Sequence, residues 1–287
     1  MKTANAAREL QNEIKAHITQ LLNTNYNNII PAGKFRNTLS IEGITIRKFL
    51  LEPEAGIMLP GFILEPDKFS NREVVLYLNE NGKAKILNDF ETVKKLLNKG
   101  YSICAVDLRG IGETSPDMAN KFWDFLSGKP IFGQRVRDVL TTIQWLKDSE
   151  VKAQRIKIWG TGMCALYGAF AGVFNNDVSG FVLEEPLISF ESIVRVTIPG
   201  YNHEILLPGV LENFDMPQIY QSLCPRPVFI MNPYSGDKMH ANEDEIKEAE
   251  KSVSVTYHGL KSSRLWEMRK VDENEREEVI VNGLTLY

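Results

Sequence analysis

The sequence predicts an α/β fold: a mostly parallel central sheet with helices on both faces, preceded by antiparallel N-terminal strands. Three observations predict it. From residue 73 onward, short and nearly continuous apolar runs alternate with helical patterns, as expected of strands buried on both faces by the helices that join them. Before that, two extended runs at 44–51 and 57–64 flank a connection holding Pro53 and Gly56, the pattern of an antiparallel pair. At 155–173 a short strand, a turn with two glycines and an apolar helix follow one another directly.

The elements follow in order. Leu10, Ile14, Ile18, Leu21 and Leu22 recur at helical spacing, so 4–23 reads as an amphipathic helix that stops at the turn-rich 23–28. The antiparallel pair comes next. Residues 74–78 read as a strand and 89–98 as a helix closed by Gly100. A strand at 101–106 and a helix at 133–147, with Val136, Val139, Leu140, Ile143 and Leu146 on one face, continue the alternation. Strands at 156–159 and 181–183 bracket the apolar helix starting at Met163. Residues 228–231 and 253–257 read as strands on either side of a charged helix near 243–250, and 279–286 reads as a hairpin around Asn282-Gly283. Two stretches break the rhythm, 113–132 and 189–223. Both follow strands, where insertions either shape a ligand crevice or simply pack on the surface. The organisation expected is a helical extension over 1–28 followed by one domain over 29–287.

Composition narrows the function classes. With 287 residues, 43% hydrophobic and 24% charged, the chain can bury a sizeable core. A net charge of -4, with lysines and arginines scattered, gives no nucleic-acid footprint. No apolar run approaches the ~18 residues of a membrane span. The chain starts with a polar helix and no basic-then-apolar leader, which suits a cytoplasmic protein or one whose leader has been removed. Cys104, Cys164 and Cys224 are too few and too widely spaced for a disulfide framework or a zinc site, and read as small buried hydrophobes.

The segment of greatest chemical interest is Gly160-Thr161-Gly162-Met163-Cys164. Strand, sharp turn and helix are the setting of a G-x-S-x-G nucleophile elbow. Here Gly162 stands where the serine belongs, and glycine has no atom that can attack a carbonyl carbon. Cys164 replaces the closing glycine of the motif. As a displaced nucleophile it would point away from the apex, so a buried structural thiol is the better reading. Thr161 faces away as well, and Ser115 sits in a Thr-Ser-Pro turn.

Four segments together resemble a known family: 100–114, which contains Asp107-Leu108-Arg109-Gly110-Ile111-Gly112; the elbow at 156–166; 208–217; and 225–233 followed by Asp237. Over roughly 40–260 the chain resembles α/β-hydrolases of the acetyl xylan esterase type, which are similar to dienelactone hydrolases and prolyl oligopeptidase catalytic domains. The resemblance implies the α/β-hydrolase fold and a triad of elbow serine, an acid after the seventh strand and a histidine after the eighth. Asp237 matches the acid position and His258 the histidine position, while Gly162 leaves the nucleophile position vacant. Met163 N–H would be one oxyanion donor, with a second from the loop holding Asn81 and Gly82. Asp107 and Arg109 read as ties between loops. Tyr201, Trp123 and Phe214, in the two insertions, either stack on sugar rings or pack the insertions onto the sheet. His203 and His240, with Glu204 and Glu243, lack metal-ligand spacing, so neither a metal nor a cofactor is expected.

Three functions are then open. The first is a degenerate hydrolase whose cleft binds a carbohydrate or acylated small molecule. The second is an active carboxyl-ester hydrolase using an unconventional nucleophile, or water activated by His258 and Asp237. The third is an accessory domain of a larger enzyme. No nucleic-acid or membrane partner is expected, and the oligomeric state is not legible.

Overall fold

The structure, a computed structural model, describes residues 4–23, 26, 29, 31–67, 71–115 and 128–286. Among the described residues, nine strands form one sheet in the order β1-β2-β3-β5-β4-β6-β7-β8-β9. The antiparallel part is β1 (Ala32–Ile41), β2 (Ile44–Glu54) and β3 (Ile57–Pro66). β3 pairs antiparallel with β5 (Ser102–Val106), and from there the sheet is parallel through β4 (Glu73–Asn79), β6 (Arg155–Thr161), β7 (Val178–Glu184), β8 (Val228–Met231) and β9 (Trp266–Arg269). The central strands β4, β5 and β6 are buried on both faces, which is why they read as unbroken apolar runs.

Helices cover both faces. On one side lie α1 (Ala4–Leu22), α3 (Ile131–Asp148), α4 (Met163–Phe174), α7 (Met216–Leu223) and α8 (Glu243–Gly259). The other side carries α2 (Phe90–Asn98) and α9 (Glu273–Thr285). The short helices α5 (Phe190–Arg195) and α6 (Val210–Asn213) belong to the segment between β7 and β8. α1 inserts Ile14, Ile18 and Leu22 into the larger core cluster, so its apolar stripe is integral to the packing.

Three expectations are corrected. The run 253–257 is not a strand but the end of α8, which opens with an Asn242–Glu245 capping box and buries Ile246, Ala249, Val253, Thr256 and Tyr257 along one face. The last strand is β9, further along the chain. The tail 279–286 is not a hairpin: most of it lies in α9, whose Ile280, Val281 and Leu284 are buried against the sheet. β1 is an additional edge strand, exposed along most of its length. No helix among the described residues is long and apolar enough to cross a membrane.

Candidate functional site

The chain passes from β4 to β5 on one side and then to β6 on the other. The carboxyl ends of the adjacent strands β4 and β6 therefore flank the point where the winding reverses, the usual place for a crevice. Gly162 lies there, between the last residue of β6 and the first of α4, with φ +61° and ψ -131°. A side chain is strained at that φ, as the nucleophile of a strand-to-helix elbow is, whereas glycine takes it freely. The Gly162 N–H donates to Glu184 O at 2.9 Å, and its own carbonyl accepts from Ala165 N–H at 3.1 Å. Two residues earlier, a Cβ on Gly160 would lie 2.7 Å from Ala165 Cα, so that glycine lets the helix cross the strand closely. The turn is thus built as an elbow, with a bare backbone at its apex.

The volume above the apex is not empty. Glu80, in the loop after β4, places its carboxylate there. Its Cδ and Oε2 each lie 2.3 Å from the position that a Cβ on Gly162 would take. Oε2 accepts the Met163 N–H at 2.9 Å, and Oε1 accepts from Lys238 Nζ at 3.1 Å. The expected oxyanion donor Met163 is therefore occupied by the protein's own carboxylate, drawn to the positive end of α4. The expected second donors are engaged as well. Asn81 N–H donates to Asn79 Oδ1 at 2.9 Å, and Gly82 N–H to Asn79 O at 2.9 Å, so the loop closes on itself. Glu80 was missed as a site residue from sequence, although it is the acidic residue inside the loop 79–82 expected to supply an oxyanion donor.

Neighbouring loops hold this arrangement. The Asp107 carboxylate accepts from Lys83 Nζ, Lys83 N–H and Glu113 N–H at 2.6, 2.6 and 2.9 Å. Arg109 pairs with the fully buried Asp138 and with Glu54, tying the loop after β5 to α3 and β2. Beneath the elbow, Arg135 donates to Tyr167 Oη at 2.9 Å and to Glu204 at 3.0 Å, bracing the insertion after β7. Across the crevice, Gly200 N–H donates to Gly236 O at 2.9 Å, and Lys238 Nζ lies 5.8 Å from the Tyr201 ring centroid. The insertion after β7, the loop after β8 and the loop after β4 are stitched together over Gly162.

Asp237 and His258, expected as a pair, are apart. Asp237 is exposed in the loop after β8, and its Oδ1 accepts the Met239 N–H at 3.0 Å in a turn. His258 lies in the last turn of α8, exposed, with Nδ1 3.4 Å from Ser263 Oγ. α8 leaves the carboxyl end of β8 and runs back to feed the parallel strand β9. Its last turn therefore sits at the amino ends of the strands, at the opposite edge of the sheet from Gly162. The expected position was wrong because it rested on a strand at 253–257. Residues 270–272, which do follow the last strand, are Lys270, Val271 and Asp272.

Cys164 is buried in the core under the elbow, and burial pushes its thiol well above the usual range. Phe214 is core as well, 5.9 Å from Phe170 between ring centroids. Tyr201 is half-buried, its hydroxyl enclosed and without a hydrogen-bond partner among the described residues, and burial raises its phenol. Trp123 lies outside the described residues. His240 stacks on Tyr234 at 5.0 Å, Glu204 is taken by Arg135, and no cluster among the described residues could hold a metal ion.

No family model matches the chain, and no curated protein does. Solved structures do. A Bacteroides fragilis protein described as an acetyl xylan esterase superposes with a TM-score of 0.76 at 15% identity, covering 95% of this chain and 76% of its own. The methylesterase BT1017 gives 0.67 at 13% identity, over 97% of this chain and 62% of its own. An acetyl xylan esterase from Paenibacillus sp. R4 gives 0.61 at 15% identity, over 100% and 96%. At these identities the likeness carries the architecture alone: the chain has the α/β-hydrolase fold, with nine strands and antiparallel N-terminal members.

Proposed function

We propose that this chain is a non-hydrolysing α/β-hydrolase-fold protein that acts by binding, with the apex of its crevice occupied by Glu80. The observation that carries the reading is the Glu80 carboxylate seated over Gly162, on the Met163 N–H and beside Lys238. Acyl transfer needs an attacking atom, a base to take its proton and donors for the oxyanion. Gly162 supplies no attacking atom, and His258 is at the other end of the sheet. The Met163 N–H faces an anion already in place, and a second negative charge developing about 4 Å from it would cost roughly 4 kcal/mol at an effective dielectric of 20. Losing triad members alone removes roughly 10⁴- to 10⁶-fold in turnover. Cys164 offers no substitute, being buried and protonated. The resemblance to carbohydrate esterases makes acylated sugars the first ligands to try.

The test is turnover of 4-nitrophenyl acetate and acetylated xylan by wild type, Glu80→Gln, Cys164→Ala and His258→Ala. The expected result is the buffer rate for all four. Wild-type turnover that Glu80→Gln or Cys164→Ala abolishes overturns the proposal, since that carboxylate or thiol would then be the reacting group.

A further inference from the structure

At the end of the molecule opposite the elbow, α1 lies against the segment after α7 and leaves a cavity of about 540 Å³. Arg8, Gln11, Asn176 and Arg226 give its polar lining, and Ala7, Cys224, Pro225 and Leu260 its apolar wall. Among the described residues, no aspartate or glutamate lines it. That is unusual for a chain in which 37 acidic residues outnumber 33 basic ones.

The charges around the cavity are unmatched. The Arg226 guanidinium donates to four backbone carbonyls, those of Leu223, Asn175, Val178 and Gly172, at 2.9–3.2 Å. These are neutral partners, as is the Phe181 ring, whose centroid lies 5.3 Å from the Arg226 Cζ, and burial lowers its pKa to about 10. Four of its five N–H donors are used, which leaves one N–H and a whole positive charge. Arg8 has no hydrogen bond or ion pair among the described residues. Lys15 lies two turns along the same face of α1, and burial together with the Arg226 charge holds its ammonium below the usual lysine range. Arg8 is exposed, as are Glu9 and Glu13 of the same helix. Gln11 is fixed by hydrogen bonds from Nε2 to Val173 O and Asn176 Oδ1, both at 3.3 Å, so α1 holds a set position against this rim. Like charges gathered around a partly enclosed space without a counter-charge repel one another, and an anion placed between them removes that cost.

We infer that this cavity is a binding site for a small molecule with a dianionic phosphate head and a compact apolar body. The head would lie at the two cations of the lining, Arg8 and Arg226, since guanidinium forks match phosphate oxygens, with Lys15 outside the lining on the same face of α1. The body would lie against Cys224, Pro225 and Leu260. The site is independent of the elbow and of whether the elbow hydrolyses anything.

The test is calorimetric titration of the full chain with phenyl phosphate, benzoate and phenol at low ionic strength. Phenyl phosphate is expected to bind, benzoate more weakly and phenol not at all, with affinity falling as sodium chloride is raised. Arg8→Gln is expected to weaken phenyl phosphate about tenfold, the effect of one charge-assisted contact, and Lys15→Gln, which removes a charge outside the lining, by less. Glu80→Gln, at the far end, is expected to leave it unchanged. Arg226 is not the residue to vary, because its guanidinium braces four carbonyls of the fold. Absence of phenyl phosphate binding at millimolar concentration, equal affinity for benzoate, or full affinity in both variants overturns the inference.

Discussion

The Glu80 carboxylate and the Met163 backbone amide form a 2.9 Å hydrogen bond across the apex of the elbow, and that bond occupies the space a nucleophile would need. Placing a serine at Gly162 alone therefore brings two penalties. The side chain takes a left-handed φ of +61°, and it runs into Glu80. Gly162→Ser is expected to lower stability by about 1–3 kcal/mol, from backbone strain and overpacking together. Adding Glu80→Ala removes the clash but not the strain, so the double variant should recover only part of the loss. Urea unfolding of the three proteins measures this. A Gly162→Ser protein as stable as wild type would mean that Glu80 does not fill the apex.

The Glu80–Lys238 pair joins the loops after β4 and β8, yet both side chains keep solvent contact, at 21% and 38% exposure. Such a pair is worth roughly 0–1 kcal/mol and is screened by salt. Lys238→Met should thus cost little stability, and the cost should shrink between low and high sodium chloride. A loss of several kcal/mol would show that Glu80 is held over the apex by this one contact rather than by the stitched loops around it.

Thiol chemistry gives a direct reading of the elbow. Burial pushes the Cys104 and Cys164 thiols well above their usual range, and pushes Cys224 up to about 12. At pH 8 all three lie far below these values, so each remains protonated and a poor nucleophile in the folded chain. Iodoacetamide at pH 8 should label none of them rapidly, and all three once the chain is unfolded in urea. Fast native labelling of Cys164, read by mass spectrometry, would point to a reactive thiol at the site.

Most of the sheet was legible because β4 to β8 are buried on both faces and their sequences say so, Val74-Val75-Leu76-Tyr77-Leu78 most clearly. The failures have physical causes. Val253-Ser254-Val255-Thr256-Tyr257 looks like a strand in isolation. Its buried members continue the spacing begun at Ile246 and Ala249, and that longer period decides for a helix. Asn282-Gly283 looks like a hairpin turn, but Gly283 is where α9 presses on the sheet: a Cβ there would lie 2.8 Å from Val182 Cγ2. β1 escaped notice because an exposed edge strand carries no apolar alternation. The glycine-rich turn at Gly162 could be read from sequence; the carboxylate over it could not, because Glu80 reaches Gly162 only through the pairing of β4 with β6.

The same strand ends hold a second, more deeply buried polar cluster, and it supports a prediction with a pH signature. Arg276 of α9 donates from Nε and Nη2 to Glu184 at 2.6 and 3.1 Å and from Nη1 to Asp89 at 2.8 Å. Asp89 also accepts from Tyr77 Oη at 3.0 Å, and Tyr77 Oη accepts from Asn79 Nδ2 at 3.0 Å, which ties the clamp to the base of the Glu80 loop. Arg276→Met strips the cation from two buried carboxylates and should cost about 3–5 kcal/mol near neutral pH. Burial already raises the Glu184 pKa, opposed by Arg276, so removing the guanidinium raises it further. A carboxyl whose folded pKa lies above its unfolded value of 4.5 binds more protons folded than unfolded between the two. Stability then falls as pH rises through the folded value and is recovered below it. The deficit of Arg276→Met relative to wild type should accordingly be large at pH 8 and smaller at pH 5, measured by urea unfolding at both. A deficit equal at the two pH values would assign the loss to packing of α9 instead of to the unpaired carboxylates.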